Sequence, residues 1–216
     1  MAVIDLRDIA FSYADGRSVL DGLSFRLEPG ERVGLVAPNG SGKTTLFHLI
    51  VGLLQPLAGE VEVFGQTRVR EEDFLEVRSR VGLLFQDADD QLFCPTVAED
   101  VAFGPMNLGK GREETARIVA DTLGLLGLEG FEERVTHHLS GGEKRLVSLA
   151  TILAMSPEVL LLDEPTAGLD ENTVERLTAV LAEQAPSHIT ISHDQDFLRR
   201  TTDKTCTLRE GRMVPA

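Results

Sequence analysis

The sequence predicts an α/β fold in which a mostly parallel sheet is combined with an antiparallel β layer and an inserted helical subdomain. Three early segments, "VIDLRDI", "LSFRLEP" and "EVEVFG", alternate apolar and polar residues as half-buried strands do. Three short apolar runs at 32–37, 81–85 and 158–163, and a weaker one at 188–192, are typical of parallel strands buried on both faces. A helix-rich block from about 87 to 157 separates two of these buried strands.

The remaining elements follow from local signals. The stretch "YADGRSVLDG" lies between the first two alternating strands and carries hairpin turn signals. Six further segments are helix candidates separated by Gly, Pro and Asp: 43–53, about 97–103, 112–127, 141–155, 171–184 and 194–200. We therefore expect a single domain, 1–216, in which 1–86 and 158–216 form the core and 87–157 form the helical subdomain.

Composition excludes several classes of protein. The 216 residues suffice for one domain with a sizeable core, and no apolar run approaches the roughly 20 residues of a membrane helix. The first residues carry acids and do not resemble a signal peptide. The net charge of −14, from 21 basic and 35 acidic residues, disfavours a broad electrostatic grip on nucleic acid. Cys94 and Cys206 stand far apart, which suggests no disulfide framework and fits a reducing cytosol.

A glycine-rich loop is the first candidate site. The stretch "APNGSGKTT" (37–45) follows a buried strand and leads into the apolar run "TTLFHLIVGLL", which is the context of a phosphate-binding loop in a P-loop NTPase core. Backbone N–H groups at 40–44 can point at phosphate oxygens, and the helix N-terminus adds its positive end. The residues expected to bind nucleotide in this loop are Asn39, Gly40, Ser41, Gly42, Lys43, Thr44 and Thr45.

The loop side chains have distinct expected roles. Lys43 is expected to reach the β- and γ-phosphates, the Thr44 hydroxyl to ligate Mg²⁺, and Thr45 to lie near the α-phosphate. Ala37 occupies the position of the first glycine in G-x-x-x-x-G-K-[ST]. Alanine is compatible with this turn if its φ is negative, so we expect only a mild effect. The alternative interpretation is a purely structural turn.

A second candidate site follows the strand at 159–163. In "VLLLDEP" a buried apolar run ends in two acids. Asp163 is expected to hold Mg²⁺ through its water shell, and Glu164, pointing the other way, to polarise an attacking water. Many buried strands end in an acid, so the motif is weak alone. Its pairing with the phosphate loop makes it specific.

A longer stretch carries a family resemblance. "LSGGEKRLVSLATILAMSPEVLLLDEPTAGLD" (139–170) resembles the ATP-binding subunits of ATP-binding-cassette (ABC) proteins. "LSGGE" matches the signature loop of that family, at a helix N-terminus suited to a γ-phosphate. The resemblance implies that Ser140, Gly141, Gly142 and Glu143 contact the ATP held by the opposite subunit.

Further landmarks of the family match in order along the chain. Tyr13, the only tyrosine, matches the aromatic residue that stacks on adenine. Gln86, at the end of "VGLLFQ", matches the glutamine that contacts Mg²⁺ and the attacking water. Asp170 ends "AGLD", which matches the loop that contacts the other subunit. His193 matches the switch histidine near the γ-phosphate.

The resemblance also implies a mechanism. Two copies close head to tail around two ATP molecules, so the chain is expected to form an ATP-dependent homodimer. Glu164, His193 and Gln86 are the implied catalytic residues. Thr44, Gln86 and Asp163 are the implied Mg²⁺ ligands. The expected cofactors are therefore ATP and Mg²⁺.

One segment indicates a branch of the family. "DADDQLFCPTVAEDVAFGPMNLG" (87–109) resembles the ATPases of energy-coupling-factor transporters, which import vitamins and metals such as cobalt and nickel. In ABC transporters this region forms the groove that receives a short helix of the membrane subunit. The apolar residues that would line it, or else belong to the core of the helical subdomain, are Leu92, Phe93, Val101, Phe103 and Met106.

The branch implies partners and a location. We expect an integral membrane coupling protein, a substrate-binding membrane subunit, and a peripheral position on the cytoplasmic face of the cell membrane, with no nucleic acid. The chain ends 23 residues after His193, where longer vitamin-type relatives carry an extra dimerisation segment, and this favours the cobalt/nickel type. No segment resembles a site for the transported metal, so specificity is expected to reside in the membrane partners.

Other functions remain open at this stage. One alternative is a vitamin-type importer ATPase of the same branch, and another is a soluble, non-transport ABC ATPase such as one for iron–sulfur assembly. DNA-repair and chromosome types separate the two halves of the site by coiled coils or zinc modules, whereas here Leu139 follows Gln86 by only 53 positions. A kinase or GTPase with a phosphate loop would not need "LSGGE".

Overall fold

Two β-sheets form the framework on which the candidate site is built. The structure, a computed structural model, describes residues 1–38, 40–184 and 187–215, with the backbone alone for Gln184 and Pro215. The strands are β1 (Ile4–Ser12), β2 (Ser18–Leu27), β3 (Arg32–Val36), β4 (Ala58–Val63), β5 (Gln66–Thr67), β6 (Val81–Leu84), β7 (Val159–Asp163), β8 (Ser187–Ile191), β9 (Lys204–Arg209) and β10 (Arg212–Pro215). The helices are α1 (Lys43–Ile50), α2 (Asp73–Arg80), α3 (Val97–Asn107), α4 (Arg112–Leu126), α5 (Gly141–Leu153), α6 (Glu171–Gln184) and α7 (Gln195–Thr201).

The first sheet is the predicted antiparallel layer, with strand order β2-β1-β4-β5. Leu6 and Ile9 are both buried although they are three positions apart, a spacing that strict alternation would place on opposite faces. The register of β1 with β2 shifts between them, and Asp8 there has a φ of 51°. This irregularity is what lets both side chains face the core.

The second sheet has the order β10-β9-β3-β8-β7-β6. The four predicted buried strands, β3, β6, β7 and β8, are confirmed and run parallel to one another. β9 also runs parallel to β3, whereas β10 pairs with β9 as a hairpin. The carboxyl ends of parallel strands meet at one edge of a sheet, so the loops after β3, β6, β7 and β8 converge there.

The six predicted helices are present, and α2 is an addition. α3 continues past the predicted end at 103 through Gly104 and Pro105 to Asn107. α2 escaped prediction because it is short and strongly polar, with only Phe74 and Val77 buried. Among the described residues, no helix is both long and apolar enough to cross a membrane.

The helices between β6 and β7 pack around an apolar cluster distinct from the one between the two sheets. α3, α4 and α5 all contribute to this cluster, and Val101, Leu123 and Leu149 are fully buried in it. α3 and α5 begin with capping boxes, on Thr96 and Ser140. These helices occupy the segment 87–157, and its status as a separate subdomain is a proposal.

Candidate functional site

A cavity of about 450 Å³ opens at the carboxyl edge of the parallel sheet. It is lined by Tyr13, Arg17, Val19, Gly40, Ser41, Gly42, Lys43, Thr44, Thr45, Gln86, Asp163, Glu164 and His193. The predicted nucleotide-binding and catalytic side chains therefore surround one space, although they come from segments as far apart as 13 and 193. Asn39, also predicted here, lies outside the described residues. Arg17 and Val19 were not predicted from the sequence, because no motif marks them.

The glycine-rich loop has the backbone that its sequence requires. Gly40 and Gly42 have φ values of 75° and 100°, which residues with a Cβ rarely adopt. A Cβ on Gly42 would also lie 2.5 Å from Val19 Cγ1. Ala37 is buried. It is not one of the described non-glycine residues that have a positive φ. The geometry thus meets the condition under which alanine was expected to be tolerated.

The loop leads into a helix that is open for an anion. α1 begins at Lys43, and no side chain caps its N-terminus among the described residues. Lys43 Nζ donates to the carbonyl oxygens of Ala37, at 2.5 Å, and Pro38, at 3.0 Å. Burial lowers the pKa of Lys43, while the charges of Asp163 and Glu164 oppose this effect. A polyphosphate would find N–H dipoles and an ammonium group already converging here.

Two of the predicted Mg²⁺ ligands are in direct contact. Thr44 Oγ1 donates to Asp163 Oδ2 at 2.7 Å. Burial raises the pKa of Asp163, and the hydrogen bond from Thr44 and the charge of Lys43 oppose this shift. Gln86 lines the same cavity and adds an amide oxygen.

This donor set fits Mg²⁺. The ion prefers hard oxygen ligands and usually takes only one or two carboxylates, with water and substrate phosphates completing its shell. In the described part of the chain, no group of three or more His, Cys, Asp or Glu side chains could hold a metal. Thr44, Asp163 and Gln86 are the residues that would hold Mg²⁺, which when bound would neutralise phosphate charge.

Glu164 and His193 form the far wall of the cavity. Glu164 has a φ of 50°, a strained value for a residue with a side chain, and its N–H donates to Ile191 O at 2.9 Å. His193 N donates to Glu164 Oε2 at 3.3 Å, and His193 Nε2 lies 3.5 Å from Glu164 Oε1. Glu164 Oε1 is buried and accepts no hydrogen bond from the described residues. The Glu164 side chain is 20% exposed overall and lines the cavity, so its carboxylate lies at the edge of the space that a nucleotide would fill.

The aromatic residue at the mouth of the cavity is partly fixed. Tyr13 Oη and Thr45 Oγ1 are 2.9 Å apart and share a hydrogen bond. The Phe11 ring packs edge-on against the Tyr13 ring, with centroids 5.0 Å apart. The guanidinium of Arg17 lies 5.4 Å from the centroid of the same ring. Tyr13 remains 36% exposed, so part of its surface is free to contact a nucleobase.

The signature residues lie elsewhere on the chain. Ser140, Gly141, Gly142 and Glu143 are not among the residues that line the 450 Å³ cavity. Glu143 Oε2 accepts hydrogen bonds from the N–H and the hydroxyl of Ser140, both at 2.8 Å, and Arg134 Nη1 contacts Glu143 Oε1 at 3.0 Å. These contacts preform the turn at the start of α5.

The segment after Glu164 packs against the signature residues. A Cβ on Gly142 would lie 2.8 Å from Gly168 O, so the two loops need this close backbone approach. Asp170 accepts hydrogen bonds from Thr173 Oγ1, at 2.7 Å, and from Thr173 N, at 3.1 Å. The Thr173 hydrogen bonds lower the pKa of Asp170. Asp170 thus stabilises the start of α6 and fixes the loop before it.

Comparisons with known proteins show the family to which the chain belongs. The ABC transporter family profile matches residues 20–167. The energy-coupling factor transporter ATP-binding protein EcfA of Methanothermobacter thermautotrophicus is 45% identical over 216 residues, covering 98% of this chain and 70% of the relative.

Two solved structures extend the comparison to the fold. CbiO1 of Clostridium perfringens, described as part of the ABC transporter complex cbiONQ, is 32% identical with a TM-score of 0.84, covering 99% of this chain and 87% of that one. A dimeric bacterial ABC transporter cassette is 25% identical with a TM-score of 0.87, covering 98% of each chain. The chain has the P-loop NTPase fold and belongs to the ABC transporter family, as an ATP-hydrolysing subunit related to those of energy-coupling-factor transporters.

Proposed function

We propose that this chain powers an energy-coupling-factor importer by hydrolysing ATP in the 450 Å³ cavity, and that the cargo is a cobalt or nickel ion. The observation that carries the proposal is the convergence of the phosphate loop with Asp163, Glu164 and His193 around one space. Resemblance of the segment 87–109 to importer ATPases, and the similarity to EcfA and to CbiO1, support the branch.

The geometry suggests how the reaction proceeds. Lys43 and the N–H groups of the loop hold the phosphates, so that the γ-phosphorus faces Glu164. A water attacks that phosphorus while the Glu164 carboxylate accepts its proton, and the bond to the β–γ bridging oxygen breaks to release ADP and phosphate. His193 orients Glu164 through the contacts at 3.3 and 3.5 Å. Gln86 follows the neighbouring parallel strand β6 and lines the same cavity, where its side chain would contact the attacking water and, when Mg²⁺ is bound, the ion.

The signature residues complete the site from a second copy. Ser140, Gly141, Gly142 and Glu143 do not line the 450 Å³ cavity of their own chain, and we place them against ATP bound to another. When two copies of the chain pair around ATP, Asp170 and the loop before it contact the second copy. The similarity to a dimeric ABC cassette supports this ATP-dependent homodimer.

An apolar groove between α3 and α4 supports a membrane partner. Phe103 and Met106 line this groove and are 48% and 63% exposed. Phe93, which is 67% exposed, packs edge-on against Phe103 with ring centroids 4.8 Å apart. Val101 is fully buried and Leu92 partly so, which assigns these two to the core. Exposed apolar side chains clustered in this way mark interaction surfaces.

The partner hypothesis is tested by co-purification. We would tag the chain in its native cell, solubilise the membranes gently and identify associated proteins by mass spectrometry. A polytopic membrane protein and a small membrane subunit are expected, and Met106→Glu should remove both while ATP hydrolysis by the isolated chain persists. Leu75→Glu is the matched control, because Leu75 is 65% exposed on α2 and outside the groove. Recovery from the soluble fraction alone would instead support a non-transport ATPase.

The cargo is tested by uptake. Cells that carry Glu164→Gln in place of the native chain should lose accumulation of labelled cobalt or nickel. Loss of vitamin uptake with unchanged metal uptake would assign the chain to the vitamin-type importers. The small membrane subunit found by mass spectrometry gives an independent answer, since it selects the substrate. A position on the cytoplasmic face of the cell membrane follows if the membrane partners are found.

A further inference from the structure

We propose that Arg145 is a positioning residue that ties the signature helix α5 to the segment carrying Gln86, so that the two ATP-contacting elements of one chain move together. The proposal rests on the roles proposed above for Gln86 and the signature loop. Arg145 Nη1 donates to Phe85 O at 2.5 Å, and Nη2 donates to Gln86 O. One guanidinium therefore holds two consecutive carbonyl groups just where β6 ends.

The burial of Arg145 indicates that this contact is costly to maintain. The residue is only 6% exposed, and its guanidinium contacts two backbone carbonyls rather than a carboxylate. A buried charge without a direct partner is unfavourable unless hydrogen bonds and more distant charges offset the cost. The hydrogen bonds to the carbonyls of Phe85 and Gln86 are the contacts that hold this buried guanidinium in place.

A second side chain strengthens the same connection. Gln91 Oε1 accepts from Phe85 N at 3.2 Å, and Gln91 Nε2 donates to Ser148 O at 2.8 Å. Ser148 lies one turn beyond Arg145 on α5. The backbone of Phe85 is thus held to α5 through both its N–H and its carbonyl group. Displacement of Gln86 by nucleotide would be transmitted to α5, at whose N-terminus the signature residues lie.

The test compares two buried arginines. Arg145→Lys keeps the charge but cannot reproduce the two-pronged contact. We expect kcat to fall on the order of tenfold while ATP binding and KM change less than about threefold, because Lys43 and Thr44 make the ground-state contacts. Arg68→Lys is the control: Arg68 is also 6% exposed and donates to the carbonyls of Val63 and Asp73, away from the cavity. Thermal unfolding of both variants measures the purely structural cost.

A double variant tests the route of the effect. If Arg145 acts through Gln86, the kcat of Arg145→Lys with Gln86→Ala should equal that of Gln86→Ala alone. Multiplicative losses in the double variant, or an equal fall of kcat in Arg68→Lys, would overturn the proposal. If kcat is unchanged in Arg145→Lys but reduced in Gln86→Ala, this inference is overturned and the proposed function stands. An unchanged kcat in Gln86→Ala would overturn both the role of Gln86 and this inference.

Discussion

The hydroxyl of Thr44 donates a 2.7 Å hydrogen bond to Asp163 Oδ2, joining the start of α1 to the end of β7. These two residues are 119 positions apart, and the contact exists because β3 and β7 end at the same edge of the parallel sheet. Asp163 is nearly fully buried at this point. The protein therefore holds a carboxylate in an unfavourable environment beside a hydroxyl, an arrangement that suits a cation.

Replacing Asp163 should separate metal binding from stability. Because burial raises the pKa of Asp163, its ionised form is less favourable in the folded than in the unfolded chain. Between the pKa of Asp163 in the unfolded chain and its higher pKa in the folded chain, the free energy of unfolding falls as the pH rises. At neutral pH the charge on Asp163 therefore destabilises the folded protein. Asp163→Asn should raise the Tm of the nucleotide-free protein by about 2–4 °C for each kcal/mol relieved, and weaken Mg²⁺-dependent ATP binding at least tenfold.

The pH profile gives an independent check on Asp163. Mg²⁺-dependent ATP affinity should decline on acidification at a higher pH than an ordinary aspartate would dictate, because protonation removes the ligand. Isothermal titration across a pH series would measure this. The control is Asp21→Asn, since the Asp21 side chain is 73% exposed and makes only a 3.7 Å ion pair with Arg212. A Tm that falls in Asp163→Asn would contradict the idea that the charge is a net cost.

Glu164→Gln should stop hydrolysis and retain ATP. Loss of a general base typically lowers kcat by about 10²–10⁴. Glutamine preserves the shape of Glu164 and removes its negative charge from the γ-phosphate, so the closed pair of chains should accumulate. Size-exclusion chromatography with saturating MgATP should show a dimer for this variant and a monomer without nucleotide. A monomer under both conditions would count against closure around ATP, and Glu171→Gln provides an exposed control.

Lys43→Ala should weaken ATP binding by at least about tenfold, since its ammonium is expected to reach the β- and γ-phosphates. The change also frees the carbonyls of Ala37 and Pro38, which Lys43 contacts. Lys43→Met keeps most of the stem and serves to separate loss of charge from loss of packing. Fluorescent-nucleotide titration measures both, and unchanged affinity in either variant would argue against the phosphate-loop assignment.

Ala37→Gly should change ATP affinity by less than about threefold. Ala37 is buried with an ordinary φ, and its carbonyl rather than its methyl contacts Lys43. The substitution should instead lower stability by about 0.5–1 kcal/mol, because glycine loses more backbone freedom on folding. The same titration, with chemical denaturation alongside, separates the two effects. A large gain in affinity would show that alanine impairs the loop.

The sequence predicted the buried strands, and the residues that line the cavity, better than it predicted contacts between distant segments. Continuous apolar runs identified β3, β6, β7 and β8, because a strand that is buried on both faces carries apolar side chains at nearly every position. β9, with the sequence "KTCTLR", is mixed in character, so periodicity gave no signal for it or for its hairpin partner β10. Arg145 was equally invisible as a partner of Phe85 and Gln86. A local pattern cannot show which of two distant segments a buried arginine will contact.

Arg134 should matter because it balances the charge of Glu143. The hydrogen bonds from Ser140 lower the pKa of Glu143, and the Arg134 guanidinium contacts it at 3.0 Å while lying 3.5 Å from the centroid of the Phe131 ring. Glu143 would otherwise present a negative charge beside the residues proposed to meet the phosphates of a second chain. We expect Arg134→Met to raise the KM for ATP about three- to tenfold at low salt, and less at high salt.

A second substitution, Glu143→Gln, tests whether Arg134 acts through the charge of Glu143. Glu143→Gln keeps the hydrogen-bonding shape of the capping box but removes the charge that Arg134 neutralises. Arg134→Met combined with Glu143→Gln should therefore recover most of the lost apparent affinity, as measured by ATPase assays over a range of salt concentrations. If the double variant is as impaired as Arg134→Met alone, Arg134 acts by packing against Phe131 rather than by balancing charge.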